Sequence, residues 1–218
     1  MKIGMILDAI YPSDARVTNE CEELIKNGHE VYLFCLSYQK NYIKSEIIND
    51  IKVRRYYCSS LTYKLSALAN DFPLYSILMK SKIKDFVLNN KIDRMHIHDI
   101  QIAKAAVGVC NKYKLKYNLD LHENRHEIMK SYKHVNSFLG KLLISIKRWK
   151  KAEEEYISKA EKVIVVTHQA KKEIIKRCKI SNDDVIVYPN TVRKSFYQNK
   201  SYDEKLKKKY AKNYVLLY

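Results

Sequence analysis

Apolar residues fall into short continuous runs, separated by segments in which they recur every three or four positions. Residues 2–8 (KIGMILD) form the first run, suited to a strand buried on both faces. After the polar turn YPSDA, Val17, Cys21, Leu24 and Ile25 keep helical spacing until Asn27–Gly28 ends it. EVYLFCL (30–36) is a second buried strand, so the opening segment predicts a βαβ unit with a right-handed crossover.

The alternation continues along the chain. Residues 51–58 predict a strand, 63–69 and 74–89 helices broken at Pro73, 92–98 a strand, and 100–113 a helix. Strand 116–122, a long helix over 138–159, strand 161–167, helix 168–178 and strand 185–189 complete the series. This pattern predicts a Rossmann-like three-layer α/β/α domain with a mostly parallel sheet of about seven strands. Ligands of such sheets bind at the carboxyl ends of the strands. Beyond Asn190 the chain turns polar and lysine-rich, with a short helical piece near 203–210 before the apolar run YVLLY. A domain over 1–190 is expected, followed over 191–218 by a linker and then YVLLY, which reads either as an edge strand or frayed end or as the first strand of a truncated second domain.

Composition narrows the classes. The chain has 218 residues, 46% hydrophobic and 30% charged, enough for a real core, which excludes wholesale disorder. Lys and Arg number 41 against 24 Asp and Glu, a net charge of +17 that favours anionic partners. A non-catalytic basic module binding nucleic acid or another polyanion is therefore the alternative function. No RNP, helix-turn-helix or zinc-finger signature is present and the lysines are scattered, so nucleic acid is not expected as a partner. Cys21, Cys35, Cys58, Cys110 and Cys178 form no CxxC pair and are odd in number, which predicts reduced, mostly buried thiols. Asp8 cuts the first apolar run short, and no apolar run reaches the ~18 residues of a membrane span. A cytoplasmic protein is expected. The basic stretch 138–151 places Phe138, Leu139, Leu142, Leu143, Ile146 and Trp149 on one helical face. That face is expected to pack on the sheet. Its functional alternative is peripheral docking at an anionic membrane, the inner face of the plasma membrane, with Lys147, Arg148, Lys150 and Lys151 at the headgroups.

Titratable residues gather at the predicted strand ends. Asp14 and Arg16 follow the first strand, His96, His98 and Asp99 end the fourth, and Asp120, His122 and Glu123 end the fifth. Carboxylates accept hydrogen bonds from sugar hydroxyls, and imidazoles both accept and donate. His96 and His98 are assigned one to each face of their strand, at least one being a core histidine, with metal coordination by HxHD the lesser reading. Glu153 and Glu161 are expected on a solvated, salt-bridged helix face. No GxGxxG fingerprint follows any strand, which counts against a stand-alone dinucleotide enzyme.

These residues also carry a resemblance. Asp14-Ala-Arg16-Val17 with Glu20, Leu24 and Gly28-His29-Glu30-Val31, then His96-Ile97-His98-Asp99, then Asp120-Leu121-His122-Glu123, then Glu154 or Glu155 ahead of Ala160-Glu-Lys-Val-Ile-Val-Val-Thr167, then Tyr188-Pro189-Asn190-Thr191-Val192 with Phe196, follow in order. Together they resemble the N-terminal half of the GT-B glycosyltransferases of family 4. Thr191 stands where most members have glycine, and the first loop lacks their paired glycines. The resemblance implies a domain on the acceptor side of a cleft, whose nucleotide-sugar donor is held mostly by the second domain. It implies His122 close to the reacting sugar, positioning hydroxyls or stabilising charge. It implies Asp14, Arg16, His98, Asp99 and Glu123 as substrate-binding residues, no metal and no cofactor. A glycan or lipid-linked acceptor follows by the same resemblance, as does little or no transferase activity from this chain by itself.

Overall fold

In the computed structural model, which describes residues 1–192 and 203–214, the apolar runs become the strands of one sheet. They are β1 (Lys2–Ile6), β2 (Glu30–Ser37), β3 (Ser45–Ile48), β4 (Ile51–Tyr57), β5 (Arg94–His98), β6 (Lys116–Leu121), β7 (Lys162–Val165) and β8 (Val185–Val187). Their spatial order is β3-β4-β2-β1-β5-β6-β7-β8. Every neighbouring pair is parallel except β3 with β4. β3 is one strand more than the sequence pattern predicts. Its four residues, SEII, are half-exposed and carry a charge, as edge strands do, so they give no buried-strand signal.

The helices are α1 (Ala15–Lys26), α2 (Ser60–Lys64), α3 (Leu74–Asn90), α4 (Ile100–Tyr113), α5 (Arg125–Ile128), α6 (Lys133–Asn136), α7 (Phe138–Leu143), α8 (Ile146–Lys159), α9 (His168–Cys178) and α10 (Glu204–Lys209). Val17 and Cys21 of α1 pack with Met5, Leu33 and Val53 on one face of the sheet. On the other, α3, α4 and α8 bring Phe86, Ala106 and Ile157 to Phe34, Ile97 and Leu119. Gly4 faces this second layer at close range: a Cβ there would lie 2.9 Å from Ile92 and 3.0 Å from Phe86. The chain runs outward from β1 to β2 and on to β4, then returns past β2 and β1 to β5. Winding reverses between β1 and β5, and the carboxyl ends of these strands open a crevice there.

Several expectations are corrected. The helix predicted over 138–159 is two helices, broken at Ile144–Ser145. Ser145 is extended, and its hydroxyl accepts from the Arg148 N–H to cap α8. Asp71 holds the break in place. Its buried carboxylate accepts from the Ser145 backbone N–H (3.0 Å), Arg148 Nε (2.7 Å) and Trp149 Nε1 (2.9 Å). The apolar stripe therefore packs inward only from α8 onward. Trp149 is buried, whereas Phe138, Leu139 and Leu142 on α7 are 86%, 64% and 73% exposed.

His96 and His98 share one face of β5, as the two-residue period of a strand requires, with ring centroids 4.7 Å apart. Glu153 is not solvated: it is buried, 2.5 Å from Arg177 and 3.6 Å from His126. Glu161 lies beyond α8 and pairs with Arg94 and Lys116. The cysteines are free thiols, and all but Cys178 are buried. Among the described residues no helix is long and apolar enough to cross a membrane. Phe196 and Val215–Tyr218, on which the predicted linker and strand rest, lie outside the described residues.

Asp71→Ala orphans a buried indole N–H and a backbone N–H at once, so it should destabilise the fold by about 2–3 kcal/mol in urea denaturation. A loss below about 0.5 kcal/mol, the range of an ordinary surface substitution, would refute the anchoring role.

Candidate active site

Three strand ends converge on His122. From the loop after β1, Asp14 caps α1. Its Oδ1 accepts from the Arg16 (2.9 Å) and Val17 (3.2 Å) N–H groups, which leaves Oδ2 3.9 Å from His122 Nδ1. Asp99, directly after β5, stands at the N-cap of α4 but makes no capping bond. Its φ of +65° is rare for a residue with a Cβ, and its N–H is held by the Asp120 carbonyl (2.9 Å). This strained turn places Asp99 Oδ2 3.6 Å from His122 Nδ1. On the other side of the ring, His122 Nε2 lies 2.9 Å from Asp120 Oδ2.

Asp120 is fully buried at the end of β6. Arg16 grips it with two bonds, Nε to Oδ2 (2.9 Å) and Nη2 to Oδ1 (2.6 Å). His98 Nδ1 lies 3.1 Å from Oδ2, as the register of His98 against Asp120 permits. Burial pushes the Asp120 carboxyl up, but the hydrogen bonds from His122, His98 and Arg16 outweigh it and hold the group well below the usual carboxylate range. For His122, burial pulls the imidazole down. The Asp120 hydrogen bond and the charges of Asp99 and Asp120 prevail and raise it to about 9. At neutral pH His122 is therefore an imidazolium held among carboxylates and partly open to solvent. It can donate a hydrogen bond and stabilise negative charge, and it has no free lone pair with which to act as a base.

The remaining predicted residues separate. Arg16 does not face the crevice as expected. Its guanidinium is buried, and beyond Asp120 it donates to the Tyr188 carbonyl and to Asn190 Oδ1 while lying over the Tyr188 ring. His98 has no exposed surface, so it supports His122 from behind. Glu123 pairs with Arg125 (2.8 Å) and lines a small hollow beside Glu153 and Arg177.

Sequence reasoning read Asp120 only as one of the acids clustered at its strand end, for acid/base work or hydroxyl binding, and gave no role to Glu20 or Asp8 beyond their place in the pattern. A charge inside an otherwise apolar strand was the available signal for Asp120. Glu20 lies 3.1 Å from His96 Nε2 and 3.3 Å from Arg16 Nε. Among the described residues, Glu20, His96, His98 and Asp120 offer donor atoms within 4.8 Å of one another and could hold a metal ion. The Arg16 guanidinium lies against both carboxylates and already supplies the compensating positive charge. Asp8, just after β1, accepts from the Tyr75 hydroxyl. Burial lifts its carboxyl to about 7, with Asp99 adding to the rise, while the Tyr75 bond and Arg125 oppose it.

An eight-stranded, mostly parallel sheet with its titratable groups at the winding reversal is the Rossmann-like architecture of one half of a GT-B glycosyltransferase. The chain belongs to Glycosyltransferase Family 4, whose profile matches residues 15–196. Solved structures of similar fold include sucrose-phosphate synthase from Thermosynechococcus elongatus, at TM-score 0.64 and 13% identity over 87% of this chain and 48% of that one. A trehalose-6-phosphate protein from E. coli bound with UDP-2-fluoro glucose superposes at TM-score 0.64 and 12% identity, over 97% of this chain and 54% of that one. The lipopolysaccharide outer core galactosyltransferase WaaB superposes at TM-score 0.53 and 18% identity, over 88% and 46%. The chain thus spans about half the length of these structures. No curated protein sequence matches it.

NMR titration of the His122 ring should give a midpoint near 9. Asp99→Asn should lower that midpoint, because it removes a charge that favours the imidazolium. The folded value lies above the unfolded 6.5, so the stability this ring contributes is full below 6.5 and is lost as pH rises through about 9. A midpoint at or below 6.5 would remove the imidazolium from the site.

Proposed function

We propose that these residues form the acceptor-side domain of a glycosyltransferase. It would move a sugar from a nucleotide-sugar donor to a glycan or lipid-linked acceptor in bacterial surface polysaccharide biosynthesis. The observation that carries this is the placement of His122, Asp14 and Asp99 on one rim at the carboxyl ends of three strands. Asp14 and Asp99 keep partly exposed carboxylates that can accept from sugar hydroxyls. His122, held as a cation by Asp120, would donate to the transferring sugar and stabilise charge that develops there. The family supports the reaction class, and the likeness in fold to a lipopolysaccharide outer core galactosyltransferase supports the surface-glycan setting. The work would be done on the cytoplasmic side, where nucleotide-sugars are made.

Transfer requires donor and acceptor held together away from bulk water. On this reading the described residues would form one wall of such a pocket, and their sequence holds no GxGxxG phosphate loop. Radiolabelled UDP- and GDP-sugars given to the 218-residue chain with a bacterial glycolipid extract should yield little or no transfer. Robust turnover would overturn the one-wall account.

In a polypeptide joining residues 1–192 to a family 4 donor-binding domain, His122→Ala should lower kcat by about 10²–10³-fold, the usual effect of deleting a charge-stabilising donor. KM for the donor should change little. An unaltered kcat would remove His122 from the reaction.

A further inference from the structure

Beside the His122 cluster, α1 and β5 bring a second set of donor atoms together. His96 precedes His98 on the same face of β5, and Glu20 lies one turn beyond Arg16 on α1. Glu20 Oε2 and His96 Nε2 are both buried and stand 3.1 Å apart. Neither makes a hydrogen bond at that distance, so the ring nitrogen is aimed past the carboxylate and not at it. His98 Nδ1 is engaged by Asp120 (3.1 Å) and His122 (3.2 Å), which leaves Nε2 buried and without a hydrogen bond. Asn118 Oδ1, in register with His96 on the next strand, is a further buried acceptor with no donor among the described residues. Buried polar atoms are nearly always bonded, so four such atoms in one neighbourhood point to a ligand.

Spacing and donor type identify its chemistry. Two acceptors around one ammonium nitrogen, each at ~2.9 Å, would lie about 4.7 Å apart. Two tetrahedral ligands of zinc, at ~2.0–2.1 Å, lie about 3.3 Å apart. The Glu20–His96 separation of 3.1 Å matches the ion. Calcium and magnesium take oxygen ligands, whereas two imidazoles with one carboxylate suit zinc and its transition-metal neighbours. Arg16 donates twice to Asp120 but meets only Oε1 of Glu20, at 3.3 Å, which leaves Oε2 for an ion. Access is provided by a pocket of about 240 Å³, lined by Glu20, His96, Leu24, Asn118, Ile186 and Tyr188. Ile186, on the edge strand β8, is exposed, so the pocket reaches solvent.

We propose that Glu20, His96 and His98 bind a transition-metal cation of the zinc type, with a water held by Asn118 in the fourth position. Asp120 supports the site from behind: by accepting from His98 Nδ1–H it leaves Nε2 as the ligand atom. The donor atoms, within 4.8 Å of one another, close on the ion by side-chain shifts of about 1 Å. The ion clamps α1 to β5 and holds His98 in the tautomer that donates to Asp120. It touches no sugar, and the proposal does not rest on the glycosyltransferase reading.

Zinc titrated into the full chain, stripped by a chelator and carrying no histidine tag, should bind as one tight equivalent. At ~100-fold excess over Kd it should raise the melting temperature by about 5 °C or more. Cobalt in its place should give the visible bands of a tetrahedral ion without a near-ultraviolet thiolate band. X-ray absorption of the zinc form should show two imidazoles and no sulfur. The last two readouts exclude Cys178, the one described thiol that is not buried. His96→Gln and Glu20→Gln, each checked for native circular dichroism, should weaken binding at least about 100-fold, beyond the loss of a supporting partner alone.

Several weak equivalents, sulfur bound to the metal, displacement by magnesium, or unchanged affinity in the folded variants would overturn the site. So would the absence of zinc binding, which would make Glu20 and His96 an ordinary imidazolium–carboxylate pair. Should neither variant fold, the cobalt bands and the absorption spectrum of the wild type decide the matter by themselves. Transferase activity enters none of these readouts, so the outcome leaves the reaction class untouched.

Discussion

The carboxylate of Asp120 is the constraint around which the sheet edge is organised. A fully buried charge costs several kcal/mol unless it is paired and hydrogen-bonded. Asp120 meets this requirement with partners from three places: Arg16 from the first turn of α1, His98 from β5, and His122 from its own strand end. Arg16 then reaches on to Tyr188 and Asn190, beyond β8. One buried anion therefore ties the ends of strands that adjoin or flank the winding reversal. The orientation of His122 follows from that tie, as does its charge.

Two surfaces of opposite chemistry result. The chain as a whole carries +17, yet Asp14 and Asp99 flank the exposed edge of His122. Carboxylates at the rim suit a neutral, hydroxyl-rich ligand, while a run of exposed cations follows α7 and the start of α8. Net charge alone points to polyanions in general. Its distribution separates a crevice rimmed by carboxylates from a patch of cations and exposed apolar side chains.

The strained turn at Asp99 fits the same picture. An aspartate at a helix N-cap ordinarily bonds its own helix. Here the backbone takes a positive φ, the helix goes without its side-chain cap, and the carboxylate turns to the imidazole. Local stability yields to the placement of a charge, as happens where a site outweighs the propensity of its residues.

Much of this was legible in the chain itself. Continuous apolar runs can be satisfied only by strands covered on both faces, so the alternating pattern determined a layered, mostly parallel sheet and the edge where titratable residues collect. The ordered motifs from Asp14 to Asn190 determined the family. The helix break at Ser145 escaped because its cause, Asp71, lies more than seventy residues away in sequence. Burial of Glu153, separation of Glu123, and the inward turn of Arg16 and His98 were equally decided by tertiary contact. A residue's type tells which bonds it can make. Which of them it does make depends on neighbours brought in by other strands, and only the folded chain supplies those.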